Sequence, residues 1–141
     1  MKTMTLTKLT AASATLLGLT FAVATLSANA GPLPPASPQK GVTYANNIRP
    51  IFEHSCTKCH SGNKPKAHLK LDSLADALKG GMDGKVIIPG DSAKSPLILN
   101  VAYATKDHHL WMPPPHNPAG IQPLTPEQIG LIRAWIDQGA K

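Results

Sequence analysis

Apolar residues recur at helical spacing in four short stretches of this chain, each bounded by capping or turn-forming residues. Ile48, Ile51 and Phe52 share one face, with Asn46 and Asn47 ahead of them as candidate caps. Pro50 is tolerated only in a first turn or at a kink, so the regular helix is expected to begin close to it. A second, short helix is expected in "LADALK", capped by Asp72 or Ser73 and ended by Gly80 and Gly81. After an extended "VIIPGD" with a Pro-Gly turn, Leu97, Ile98 and Val101 mark a third helix from about Ser95 to Ala104. The fourth is the most explicit. Thr125 can cap it, Pro126 occupies its first position, Gln128 completes a T-x-x-Q capping box, and Gly139 stops it. Its apolar stripe is Ile129, Ile132, Trp135 and Ile136. No segment alternates with the period of a strand, and no internal repeat is present, so the pattern predicts an all-α domain.

The N-terminal thirty residues do not belong to that domain. Lys2 and Lys8 precede a long uncharged run rich in Ala, Leu and Thr, and Ala28-Asn29-Ala30 supplies small residues at the recognition positions. This is the layout of a secretory signal peptide over residues 1–30, cleaved before Gly31. The run is also long enough to span a bilayer, but its many Thr and Ser residues make it a poor uncleaved anchor. Residues 31–40, "GPLPPASPQK", carry four prolines and no periodicity, and read as an extended, exposed tether. Residues 41–141 then form one small domain, and no membrane span is expected after cleavage.

The chain has 14 Lys and Arg against 8 Asp and Glu, and its first two lysines leave with the leader. The remaining positive excess is too small to argue for nucleic acid. Aromatic residues make up only 4%, lean for a core of this size, so a large flat cofactor could supply the missing apolar volume. From Thr105 to Leu124 the chain holds five prolines and no helical pattern. A loop that long inside a compact domain is usually functional.

Both cysteines of the chain lie in "SCTKCHSG". A dithiol redox pair normally sits at a strand-to-helix junction of a βαβ unit, and none surrounds it. A disulfide across so short a loop would remove little chain entropy. Zinc could draw on His54, Cys56, Cys59 and His60, but closed zinc sites usually take a second pair from elsewhere, and no other cysteine exists. The remaining reading is covalent haem attachment, for which C-x-x-C-H is the signal. Cys56 and Cys59, one helical turn apart, would form thioethers with the two haem vinyl groups. His60 would follow beneath the iron as the proximal ligand.

Candidates for the opposite face are Met82, His108, His109, Met112 and His116. Met112 stands in "LWMPPPH", where three prolines stiffen the chain and restrict the residue before them, so a thioether can be presented at low ordering cost. Thioether sulfur is soft and suits Fe(II), and His/Met ligation raises the reduction potential. The alternative for Met112 is an ordinary core methionine, and Met82 lies between glycines in a turn. A histidine ligand remains open at this point.

The ordered set "YANNIRPIFEHSCTKCHSG", "HLKLDS", "GKVIIPGDSAKSPLI", "WMPPP" and "LTPEQIGLIRAWIDQGA" resembles the planctomycete-type cytochrome c family over nearly all of residues 41–140. The resemblance implies a small all-α class I cytochrome c fold, with about four helices and long loops around one covalently bound haem c and its iron. It implies that the first and last helices cross beside the haem. It also implies attachment through Cys56 and Cys59, His60 as proximal ligand and Met112 as distal ligand. Many relatives are domains of larger proteins whose enzymatic associations do not carry over to this chain.

Together these features read as an exported, periplasmic, monohaem one-electron carrier rather than an enzyme. Its partners would be redox proteins met transiently, and Lys58, Lys64, Lys66 and Lys70 are candidates to rim the exposed haem edge. Two rival readings differ in the distal ligand and in the partner. A labile or absent ligand would make a peroxidase-like enzyme or gas sensor, and permanent docking would make an electron-transfer subunit of an oxidoreductase.

Overall fold

The structure is a computed structural model and describes residues 33–141. The expected leader, 1–30, lies outside the described residues, as do the first two residues of the expected tether. Four α-helices follow in order: α1 (Arg49–Ser55), α2 (Leu74–Lys79), α3 (Pro96–Val101) and α4 (Pro126–Asp137). Among the described residues there is no strand, only an isolated bridge between Gly81 and Gly84. The domain is all-α.

Local chemistry explains most of the boundaries. α1 begins beside Pro50 as expected, but a π-helical turn, Tyr44–Ile48, leads into it, and its cap is Thr43. The Thr43 hydroxyl accepts from the Asn46 amide, and the Asn47 carboxamide accepts from the Thr43 amide at 3.0 Å. The asparagines therefore serve a turn whose cap lies three to four residues before them. α2 is capped by Ser73, which accepts from the Asp76 amide, and Gly80 ends it at φ 88°. In α4 both halves of the capping box form: the Thr125 hydroxyl accepts from the Gln128 amide, and the Gln128 side chain accepts from the Thr125 amide at 2.9 Å.

α3 is shorter at its C-terminal end than the expected span of about Ser95 to Ala104. It stops at Val101 because Tyr103 turns left-handed, at φ 55°. The Tyr103 amide then donates to Asn100 O and the Ala104 amide to Leu99 O, which is the Schellman pair that closes a helix C-terminus. Glycine usually occupies that left-handed position, and here a tyrosine does.

The core is built where the N-terminal turn and α1 meet α4. Tyr44, Phe52 and Trp135 form a triangle of rings with centroids 6.0–6.2 Å apart, in edge-to-face and tilted contacts. Trp135 is fully buried, and its indole N–H donates to Lys141 O at 2.9 Å, so the polar edge of the ring is satisfied. Ile48, Ile98, Ile132 and Ile136 fill the space around it. Three of the few aromatics are spent on this one corner.

The proline-rich stretch ahead of the domain is extended but not free. The Ser37 amide donates to Gly130 O at 2.9 Å, the Arg133 guanidinium to Pro34 O, and the Gln138 side chain to Gln39 O at 2.9 Å. It runs as a strap along α4. Gly130 makes this possible: a Cβ there would stand 2.6 Å from Pro35 O. Arg133 also donates to Ser92 Oγ, which donates in turn to Asp137, so one cation joins the strap, the turn after Pro89 and α4.

Candidate functional site

α1 delivers the two cysteines at its C-terminal end. The Cys59 and His60 amides donate to Cys56 O at 3.1 and 2.9 Å, so one turn of chain separates the thiols and carries His60 directly onward. Both cysteines are free, and both line a cleft that encloses about 970 Å³ of space, part of it open to solvent. His60 lines the same wall. Leu69, Leu71, Val86, Leu97, Val101 and Leu124 make the lining largely apolar.

Burial governs the ionisation of this wall. The Cys56 thiol is pushed up to about 12, first by burial and then by the nearby Cys59 sulfur. His60 is lowered from its ordinary value, chiefly by burial, so the imidazole is held neutral. Its Nδ1 lies 3.3 Å from Leu69 O, which can only accept. Nδ1 therefore carries the proton, and Nε2 keeps its lone pair for a metal.

The long loop supplies further lining of the cleft. Met112 lines it together with Pro113 and Pro114, and the Met112–Pro113 peptide bond is cis. The Met112 amide donates to Asn100 O at 3.1 Å, which ties the loop to the end of α3. The Asn117 carboxamide donates to Pro114 O and Ile121 O and accepts from the Ile121 amide, which closes the loop on itself. A single 3-10 turn, His108–Leu110, is its only helical piece.

The structure thus brings Cys56, Cys59, His60 and Met112 to one cleft. Met82 also lines it but is 67% exposed at its mouth. His108, His109 and His116 are exposed and do not line it. None of the four candidate rim lysines lines the cleft, and the Lys70 ammonium lies 3.9 and 3.6 Å from the Asp72 and Asp76 carboxylates. Its charge is thereby partly answered. The mouth is instead formed in part by the exposed apolar residues Met82 and Leu110.

Sequence reasoning missed Asn100, Tyr103 and Asn117 as supports of the loop. Nothing local marks Asn100 and Tyr103, whose contacts span about ten residues of irregular chain, whereas Asn117 bonds only to residues three and four away. Among the described residues no group of three His, Cys, Asp or Glu side chains is placed to hold a metal ion by itself.

The donor set and the cleft fit haem c. Two unpaired thiols sit one turn apart in the lining of a largely apolar slot, a neutral imidazole lies beside them, and a thioether lines the same slot. Residues 56–116 match the family model described as Planctomycete cytochrome C. No curated protein and no solved structure matches the chain.

Proposed function

We propose, because residues 56–116 match the family model described as Planctomycete cytochrome C, whose cofactor is covalently bound haem c with its iron, that this protein is an exported monohaem one-electron carrier with the class I cytochrome c arrangement. Cys56 and Cys59 would hold the group through thioethers, His60 would be its proximal ligand, and Met112 its distal ligand. Bound there, the haem supplies an Fe(III)/Fe(II) couple that takes up and returns one electron. The observation that carries the reading is that Cys56, Cys59, His60 and Met112 all line one largely apolar cleft.

Each residue has a definable task in that reading. The Leu69 carbonyl fixes the His60 tautomer, so the imidazole offers Nε2 without a proton to lose. As distal ligand, Met112 would leave no open position on the iron for a substrate. The apolar lining excludes water and, with the thioether, favours the reduced state. Met82 and Leu110 at the mouth offer a small apolar contact for a transient redox partner. Cleavage of the expected leader after export would put this chemistry in the periplasm, and among the described residues no helix is long and apolar enough to cross a membrane.

The test is the spectrum and reduction potential of the recombinant holoprotein beside Met112→Ala. The carrier reading expects a Met-to-Fe(III) charge-transfer band in the parent, its loss in the variant, and a lower potential. A high-spin parent that binds CO or cyanide at once would sink the reading in favour of an enzyme or sensor. An unchanged Met112→Ala spectrum would transfer the distal role to another residue.

A further inference from the structure

A tyrosine at the left-handed closing position of α3 is costly there, because glycine takes that conformation without its Cβ penalty. A non-glycine residue held in this region marks a place where surrounding contacts over-determine the backbone. Those contacts all lead to one segment. The Tyr103 ring stacks on Trp111, centroids 4.7 Å apart and planes within 4°, and its hydroxyl donates to Pro113 O. Trp111 and Pro113 are the two neighbours of Met112 in the chain. Trp111 is held further by its indole N–H, which donates to Thr105 O at 3.2 Å, and by His108, whose ring centroid lies 4.1 Å away.

The geometry points to Tyr103 as a positioning residue for Met112: its ring grips the residue before the methionine and its hydroxyl the residue after. The inference rests on Met112 being the distal ligand. Tyr103 does not line the cleft and touches no ligand itself; it acts by keeping residues 111–113 against the end of α3, where Asn100 O receives the Met112 amide. In this arrangement the strained turn is what aims the ring. A glycine would relax the backbone and release the methionine.

The two halves of the grip are separable in the oxidised holoprotein. Tyr103→Phe keeps the stack and removes the hydroxyl, whereas Tyr103→Gly removes both and relieves the turn. Transient release of Met112 is read by the rate at which cyanide enters on Fe(III), and by hydrogen exchange at the Met112 amide. Loss of one hydrogen bond should make both about threefold to tenfold faster in Tyr103→Phe. Loss of the stack should add a further factor of about three to ten in Tyr103→Gly. Haem content should stay at one per chain in both variants. Parent-like cyanide and exchange rates in both variants overturn the inference. A parent-like Tyr103→Phe with a faster Tyr103→Gly overturns the hydroxyl's part and keeps the ring's. Should Tyr103→Gly fail to fold, Tyr103→Phe alone decides, and parent-like rates in it reject the grip as described. Met112→Ala separates the two readings. If it abolishes the charge-transfer band while the Tyr103 variants behave as the parent, only the positioning role fails; if it leaves the band intact, the ligand assignment itself has failed.

Discussion

Replacing Gly130 by alanine tests whether the proline-rich strap is part of the domain. Gly130 is buried in the middle of α4, where alanine would ordinarily gain about 1 kcal/mol of helix propensity over glycine. Here the added Cβ would stand 2.6 Å from Pro35 O, and the three atoms nearest to it all belong to the strap. A backbone oxygen cannot swing aside as a side chain does. The strap must lift, which strains or breaks the hydrogen bond from Ser37 to Gly130 O and weakens the Arg133 contact to Pro34 O. Overpacking of this kind costs about 1–3 kcal/mol, so Gly130→Ala should destabilise the full chain by about 0–2 kcal/mol net. In a chain shortened to begin at Gly41 the obstruction is gone, and the same substitution should stabilise by about 1 kcal/mol. The sign therefore reverses between the two backgrounds, with a coupling of about 1–3 kcal/mol. Thermal or denaturant unfolding of the four holoproteins measures it, 1 kcal/mol corresponding to about 4 °C or more in a domain of this size. Stabilisation by Gly130→Ala in both backgrounds would refute the docked strap. The stretch would then be the free tether that its composition suggests.

Three further outcomes follow from named contacts. The Cys56→Ser/Cys59→Ser pair should lose all covalent haem while either single variant retains one thioether, as mass spectrometry of the denatured protein would read; haem retained by the pair would refute attachment at these positions. Thr125→Ala removes half of the α4 capping box and should cost about 1 kcal/mol, visible as a lower denaturant midpoint with an unchanged slope. Burial raises Tyr103 above its ordinary value near 10, so the folded state favours the protonated phenol. That contribution is fully present below about pH 10 and is lost as pH rises through the folded value. Tyr44 is raised by burial in the same way and is common to both proteins, so the difference between parent and Tyr103→Phe isolates Tyr103. The stability advantage of the parent should shrink above about pH 10 and stay constant from pH 7 to 9; a flat difference throughout would show that the phenol is not held.

Much of the fold is legible where one turn of chain carries its own signal. The α4 boundaries follow from Thr125, Pro126, Gln128 and Gly139, which interact within the helix they bound. Ser73 and Gly80 delimit α2 for the same reason. α3 shows the limit of that reasoning. Its expected span runs to about Ala104, but the helix ends at Val101, where Tyr103 turns left-handed and engages Trp111 and Pro113, eight and ten residues on. The first cap moved from the asparagines to Thr43 because the chain enters α1 through a π-helical turn. The candidate rim is the same kind of case: Lys70 is close to its neighbours in sequence, but its proximity to Asp72 and Asp76 depends on how the turn before α2 folds back.

What this sequence determined by itself is what adjacent residues decide: four helices and most of their caps, two thiols one turn apart with an imidazole after them, and a stiff proline segment that presents a methionine. Those signals survive without tertiary context because each is a short-range covalent or hydrogen-bond pattern. Tertiary structure alone decided which face of the domain the thioether meets, that a tyrosine rather than a glycine closes α3, and that the proline-rich strap lies on Gly130. Each of these depends on two distant segments arriving at the same place. Neither segment carries a mark of the other until the Tyr44–Phe52–Trp135 corner has brought the ends of the domain together.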